Sequence, residues 1–495
     1  MSSNVSRRKF LGLAGAAVGL GAAGYYGLNN FTQSPTTEPG ALSDRYTRLA
    51  LPKNPQNFLP DEYVDFIRWL ESVSEKIAGK SLRIAIEAEV GPRSLHRNRI
   101  DFETSTGVEL KLEFDIYKNN LSKCLLAVST QSPTFDIMNV DVSQVGRFAP
   151  HILTIEHLLE TYPEFTYPGL NLDDFVNPVI DFTCTYPPKL GAPWNIDFNG
   201  TFTQMPQEVP LMIRFFRKDL YSKEGREVSV TWDEYLDDIR HFHDPSRTRF
   251  GTVLMAARFP SIIMEFHNWL YSFGGKLWDI KKDGTITADI NSDVAVSALE
   301  HYLEVSKYAE PNSAFYGWAP AAESMSQRRA ATCINLTEFA SLMDIPGESY
   351  VVRDVGYTRN PVGDAGASHH YSGAGLAIPK YSRNPAAAWV FIQWATVSSM
   401  QLIAAMDPLA LAVPTRNSVY EKKLNSFPPK QLQFSKLKRN SNVLNQNYVL
   451  LLQKLEEAKI SFAVQVGKVQ IVDYARLPGK SGQNQNRTML MGLIF

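Results

Sequence analysis

The chain has 495 residues, of which 44% are hydrophobic and 20% charged. That balance excludes a disordered polar chain, and the length exceeds what one hydrophobic core usually supports, so two substantial lobes are expected. Fifty Lys and Arg stand against 51 Asp and Glu, a formal net charge of -1, which removes the overall field that nucleic-acid binding would need.

Residues 6–11 read Ser-Arg-Arg-Lys-Phe-Leu and lead into an uncharged Gly/Ala-rich run ending at Leu28. Positive charge ahead of a moderately apolar segment is the arrangement of an export signal, here similar to a twin-arginine signal over residues 1–28, with a periplasmic or extracytoplasmic destination. A retained membrane anchor is the competing reading: residues 10–28 nearly suffice to span a bilayer, but six glycines make the run weakly hydrophobic. No cysteine follows at a lipobox position. Residues 29–60, rich in Pro, Thr, Ser and Asn, read as a linker.

Apolar residues at Val64, Ile67, Leu70, Val73 and Ile77 predict an amphipathic accessory helix within residues 61–79. A short β-rich run at 81–86, a helix ending near Thr106, a strand at 108–114 after Gly107, a helix at 118–129 and a strand at 135–140 then alternate. That alternation predicts an α/β lobe around a mostly parallel sheet. Ligands gather at the carboxyl ends of such strands, which points to Glu87, Glu89, Asn139 and Asp141. Residues 160–210, dense in Pro, Tyr, Phe and Trp, read as long loops. Thr231 and Glu234 form a capping box that starts a helix, another helix spans 261–273 before Gly274 and Gly275, and Asn384 with Pro385 opens a third. Cys124, Cys184 and Cys333 lack metal-ligand spacing and cannot all pair within one molecule, which leaves one disulfide or three buried thiols. The histidines, including His241 with His243 and the adjacent His369 and His370, lack the spacing of a catalytic zinc motif, so no metal and no cofactor is expected.

The segments at 108–140, 211–220, 231–235, 266–275, 375–380, 384–394 and 414–419 together resemble the extracellular solute-binding proteins of bacterial ABC importers, in the family 1 group that binds sugars and polyols. The resemblance implies an α/β, periplasmic-binding-protein-like (type II) fold of two lobes with a ligand cleft and hinge crossings. Lobe 1 would combine 80–190 with 369–413 and lobe 2 would combine 191–368 with 414–460, leaving 461–495 as a divergent C-terminal tail. It also implies a substrate-binding component that captures a sugar or polyol by lobe closure and delivers it to permease subunits, with no catalysis and no membrane contact except through the permease or an uncleaved N-terminal anchor. One departure concerns the pocket: Ala374 stands where many members carry a stacking Trp.

A polyol site combines an aromatic face for C–H surface with fixed polar groups for hydroxyls. The candidates are Glu87, Glu89, Asp141, Trp194, Asp197, Asn268, Tyr271, Trp318, Glu338, Tyr371 and Arg416. Against these stand plainer roles: surface or capping positions for Glu87, Glu89 and Asp141, loop packing for Trp194, a solvated turn for Asp197, core packing for Tyr271, which with Asn268 is a candidate only by the resemblance, and a hinge brace for Arg416. Trp318 sits in a Pro/Gly-punctuated aromatic stretch without helical period, Glu338, after a predicted strand, matches by the resemblance the family's position for ligand-facing side chains, and Tyr371 is expected to replace the missing Trp. The alternatives are the same fold binding a polyamine or another small organic ligand, an extracellular glycan-acting enzyme with paired carboxylates, and a sensor that has lost transport.

Overall fold

A computed structural model of the chain describes residues 61–88, 92–188, 198–280, 285–345, 347–407 and 412–425. The export-signal and linker segments, Glu89, Trp194, Asp197 and the C-terminal tail lie outside the described residues.

The accessory helix forms as its spacing predicts. In α1 (Asp61–Ile77) the stripe Tyr63, Phe66, Ile67, Leu70, Val73 and Ile77 is buried in the core of the first lobe. Strand β1 (Ser81–Glu87) is followed by α2 (Arg93–Thr106), which stops at Gly107 in the left-handed conformation, φ 67°. Then come β2 (Glu109–Asp115), α3 (Tyr117–Ser129) and β3 (Ile137–Asp141). Both β2 and β3 pair with β1 in parallel, so an acidic residue ends each of three neighbouring strands: Glu87, Asp115 and Asp141. The chain then supplies β4 (Met205–Glu208) before leaving this sheet.

The second lobe begins at β5 (Met212–Arg217). The predicted capping box opens α4 (Trp232–Phe242): Thr231 Oγ1 accepts from the Glu234 N–H at 3.2 Å and Glu234 Oε2 accepts from the Thr231 N–H at 3.0 Å. After β6 (Phe250–Val253) come α5 (Pro260–Ser272), α6 (Asp293–Ser306) and α7 (Trp318–Ser326). Strand β7 (Ala330–Leu336), buried at every residue, and β8 (Val355–Thr358) complete the sheet in the order β8-β5-β7-β6. Its core, around Phe215, Trp232, Tyr235, Trp269, Leu299 and Ile334, is separate from that of the first lobe.

The chain returns through β9 (Ala374–Ala377), α8 (Pro385–Thr396), α9 (Ser398–Met406) and α10 (Asn417–Asn425). Strand β9 runs antiparallel between β3 and β4, giving the first sheet the order β2-β1-β3-β9-β4. The sheets are therefore mixed rather than mostly parallel: in the second, β6 and β7 alone are parallel partners among the described strands. The difference arises because β9 enters from the other lobe, with no helix crossover to force a parallel direction. Residues 412–416 hydrogen-bond to the first lobe, with Thr415 N–H donating to Gln401 at 2.8 Å and Thr415 C=O accepting from Val176. Cys124, Cys184 and Cys333 are three buried free thiols, and among the described residues no single helix is long and apolar enough to cross a membrane.

A buried ion network ties β5 to α4. Arg214, wholly buried, donates to Asp238 at 3.2 Å and lies over the Tyr235 ring at 4.7 Å, and Asp238 also accepts from Tyr221 at 2.7 Å and from the Ser229 N–H at 3.2 Å. Burial works against ionisation of Asp238, but the hydrogen bonds from Ser229 and Tyr221 and the Arg214 guanidinium win and hold its carboxyl below the usual range. Stability from this group is present above the ordinary carboxylate pKa and is lost as pH falls through the depressed one. Asp238→Ala, which strands a buried guanidinium, is expected to cost about 3–5 kcal/mol in urea unfolding at pH 7; a loss under about 1 kcal/mol would show the network to be idle.

Candidate solute-binding cleft

The carboxyl ends of β1 and β3 open onto a cavity lined by Glu87, Tyr117, Asn120, Asn139, Asp141 and Gln144, floored by Leu121, Cys124, Val140 and Phe148. The three strand-end acids differ in fate. Asp115 is held by Lys123 at 2.6 Å and Asn119 at 2.9 Å, whereas Glu87 and Asp141 are among the described residues that line the cavity. Asp141 also caps the turn that follows β3, accepting from the Ser143 N–H at 2.8 Å, so its capping and cavity positions coincide. Asn139 is oriented by donating to Gln207 at 2.7 Å.

Tyr117, the first residue of α3, connects this cavity to the other lobe. Its hydroxyl accepts from Gln144 Nε2 at 3.3 Å. Burial, then the negative charges of Asp141 and Glu87, push its ionisation above the ordinary tyrosine value, so it stays a neutral donor. Its ring meets two rings of the second lobe edge-on: Phe259 at 6.0 Å and Trp318 at 6.1 Å, with Phe259 and Trp318 themselves 4.8 Å apart. Trp318 opens α7 rather than lying in a loop, and its indole N–H has no hydrogen-bond partner among the described residues. Ala374, adjacent to Asp141 across β3 and β9, is a small side chain at the position of the missing Trp.

The remaining candidates lie elsewhere. Asn268 is fully buried, and its amide is committed: Oδ1 accepts from the His370 N–H at 2.8 Å and from Asn360 at 2.9 Å, while Nδ2 donates to the carbonyls of Met264 and Glu265. Asn360 in turn donates to the carbonyls of Met212 and Ser368. These bonds clasp the two crossing segments, 209–212 and 368–372, to the second lobe. Tyr371 belongs to that hinge, with its hydroxyl 3.0 Å from Thr183 and its ring packed with Val179, Phe182 and Val209. Tyr271 meets His267 edge-on, and Nδ1 of His267 is 3.1 Å from Nδ1 of His370. Glu338 is buried beside Thr337, which bonds to Leu211 at the first crossing. Arg416 braces the first lobe, stacked 3.8 Å from the Phe175 ring centroid and donating to the carbonyls of Thr396 and Asn171; burial lowers its pKa to about 10.

Sequence reasoning missed Tyr117, Phe259 and Gln144. Tyr117 was findable, since it follows the carboxyl end of β2 by two residues; Phe259 had no local signal, because only the fold brings it opposite Tyr117.

Residues 79–401 match the family model of the bacterial extracellular solute-binding proteins. The chain belongs to that family. Membership sets the enzyme reading aside. Over 210 residues this solute-binding protein is 25% identical to the erythritol/L-threitol-binding protein of Mycolicibacterium smegmatis, a stretch that is 42% of this chain and 44% of that protein; the chain thus spans under half the length of this curated relative. An ABC transporter solute-binding protein from Agrobacterium radiobacter K84, solved with ribitol, is 22% identical with a TM-score of 0.60, covering 78% of this chain and 98% of that one. Another from Agrobacterium vitis S4, with bound D-mannitol, is 19% identical with a TM-score of 0.59, covering 79% and 99%. These likenesses fix the fold as the α/β periplasmic-binding-protein type with two lobes.

The clasp predicts that Asn268→Ala strands a buried N–H and a buried amide, lowering stability by about 2–4 kcal/mol in denaturant titration. A ligand-facing amide would leave the midpoint in place.

Proposed function

We propose that this solute-binding protein works outside the cytoplasmic membrane, captures a small polyol or sugar between its lobes, and delivers it to the permease of an ABC importer. The observation that carries the reading is Tyr117 meeting Phe259 and Trp318 beside the Glu87 and Asp141 carboxylates. Rings cover the C–H faces of a polyol, carboxylates and amides accept its hydroxyls, and an indole N–H supplies a donor. Residues from both lobes contribute, so a ligand contacting all of them favours the closed state, which is the surface the permease would recognise. The names of the relatives, which bind erythritol or L-threitol, ribitol and D-mannitol, favour a short acyclic polyol. Export by the twin-arginine-like segment at residues 1–28 belongs to the same proposal.

A second reading is favoured by one observation: the described residues lining the cavity include Glu87 and Asp141 but no Lys or Arg, which suits a cation such as a polyamine. A thermal-shift titration with erythritol, L-threitol, ribitol, D-mannitol and putrescine separates the two. Ligand at a hundred times its Kd adds about 2.7 kcal/mol to the folded state, a rise of several degrees. The polyol reading expects that rise with a polyol, a roughly tenfold or greater loss of affinity in Tyr117→Ala, and little dependence on salt. A response to putrescine alone, weakening with salt, would transfer the assignment to a cation.

A further inference from the structure

The loop at 254–259, which carries Phe259, is zipped to the loop that leads into Trp318. Leu254 N–H donates to Ser313 Oγ at 3.1 Å, Ala256 N–H to the Ser313 carbonyl at 3.0 Å, and Ala257 N–H to the Tyr316 carbonyl at 3.1 Å. The N–H between these, that of Met255, turns inward to Oε2 of Glu265 at 2.9 Å, an oxygen that also accepts from the Tyr302 hydroxyl at 2.8 Å. Ser261 closes the same turn by donating to the Met255 carbonyl at 3.3 Å. Glu265, on α5, is wholly buried, and its other oxygen has no hydrogen-bond partner among the described residues. An ionised carboxylate there would be an uncompensated charge in an apolar core.

We infer that Glu265 is a positioning residue for the cleft: its carboxyl, by holding Met255, fixes the loop that presents Phe259 to Tyr117. The inference rests on the reading of the cleft given above. The ionisable groups facing Glu265 are Tyr302 from α6, Tyr235 from α4 and Cys333 from β7, acids that burial keeps protonated. Arg214, over the Tyr235 ring, is committed to Asp238. Burial accordingly pushes the Glu265 carboxyl up to about 8, against the hydrogen bonds from Met255 and Tyr302. When the loop opens, the carboxyl meets water and takes its ordinary value near 4.3. Between those two values the open form binds fewer protons, so the opening equilibrium rises about tenfold per pH unit and levels off above about 8.

Amide hydrogen exchange of the full chain tests this, with rates corrected for intrinsic pH dependence. From pH 5.5 to 7.5 the opening equilibrium of residues 254–259 is expected to rise about 100-fold in the wild type and under about threefold in Glu265→Gln, whose amide keeps the acceptor and does not ionise. Residues 61–77 should not change. Equal pH dependence in both proteins, or a rise spread evenly over α4 and β7, would overturn the positioning role. Erythritol binding gives the second readout: Glu265→Met should raise Kd about fivefold or more at pH 5.5, and Glu265→Gln should restore it toward wild type. If the methionine variant binds erythritol as tightly as wild type, the link from loop to cleft fails. If no form binds any polyol while the exchange contrast holds, the solute reading fails and the loop assignment stands.

Discussion

One side-chain amide, that of Asn268, takes up the backbone of one crossing segment directly and, through Asn360, the other. Where the segments between two sheets with separate cores are buried, their N–H and C=O groups must find partners away from water. Strand pairing does part of this, through the bridge of Leu211 with Tyr371 and the bond from Met212 N–H to the His370 carbonyl. The asparagines do the rest on the second-lobe side, and Thr337 adds reciprocal bonds with Leu211. Motion between the lobes is thereby confined to a short stretch of chain, because the segments are clamped on one side and become sheet on the other.

The cleft inherits its chemistry from that arrangement. Parallel strands β1, β2 and β3 bring three acidic ends to one edge, and Lys123 neutralises the outer one. Glu87 and Asp141 lie near a tyrosine that burial, and then their charge, keeps protonated. Across from it, Phe259 ends a loop that backbone bonds join to the segment leading into Trp318 at the start of α7, so Phe259 and Trp318 are presented as one surface. The polar groups of the cavity thus come from the first lobe, and the aromatic rings beside it come from both.

The elements that the sequence revealed were those whose causes are local. The stripe of α1, the capping box at Thr231 and the stop of α2 at Gly107 each depend on side chains within a few residues. The direction of β9 and the place of β4 depend on where the chain has been, which no local period records. Glu87 and Asp141 could be placed beside the cavity because strand ends are a place defined by the strands themselves. Asn268 reads the same in sequence whether its amide faces a sugar or a crossing backbone, and only its four filled hydrogen bonds distinguish the two. Tyr117 and Phe259 acquire meaning from each other, 142 positions apart in number and 6.0 Å apart in space.

The stripe of α1 reaches far along the chain: Tyr63 packs in one core with Trp389, Trp394 and Met400. The second lobe, by contrast, has its sheet, β5 to β8, within one uninterrupted stretch between the crossings. As the polypeptide leaves the ribosome, that stretch is able to assemble as soon as β8 has emerged, while the first half of the other lobe waits with an uncovered apolar face for residues 374–403. A late part of the domain is therefore what seals the first, and the interval between them is the period in which a chaperone has something to hold.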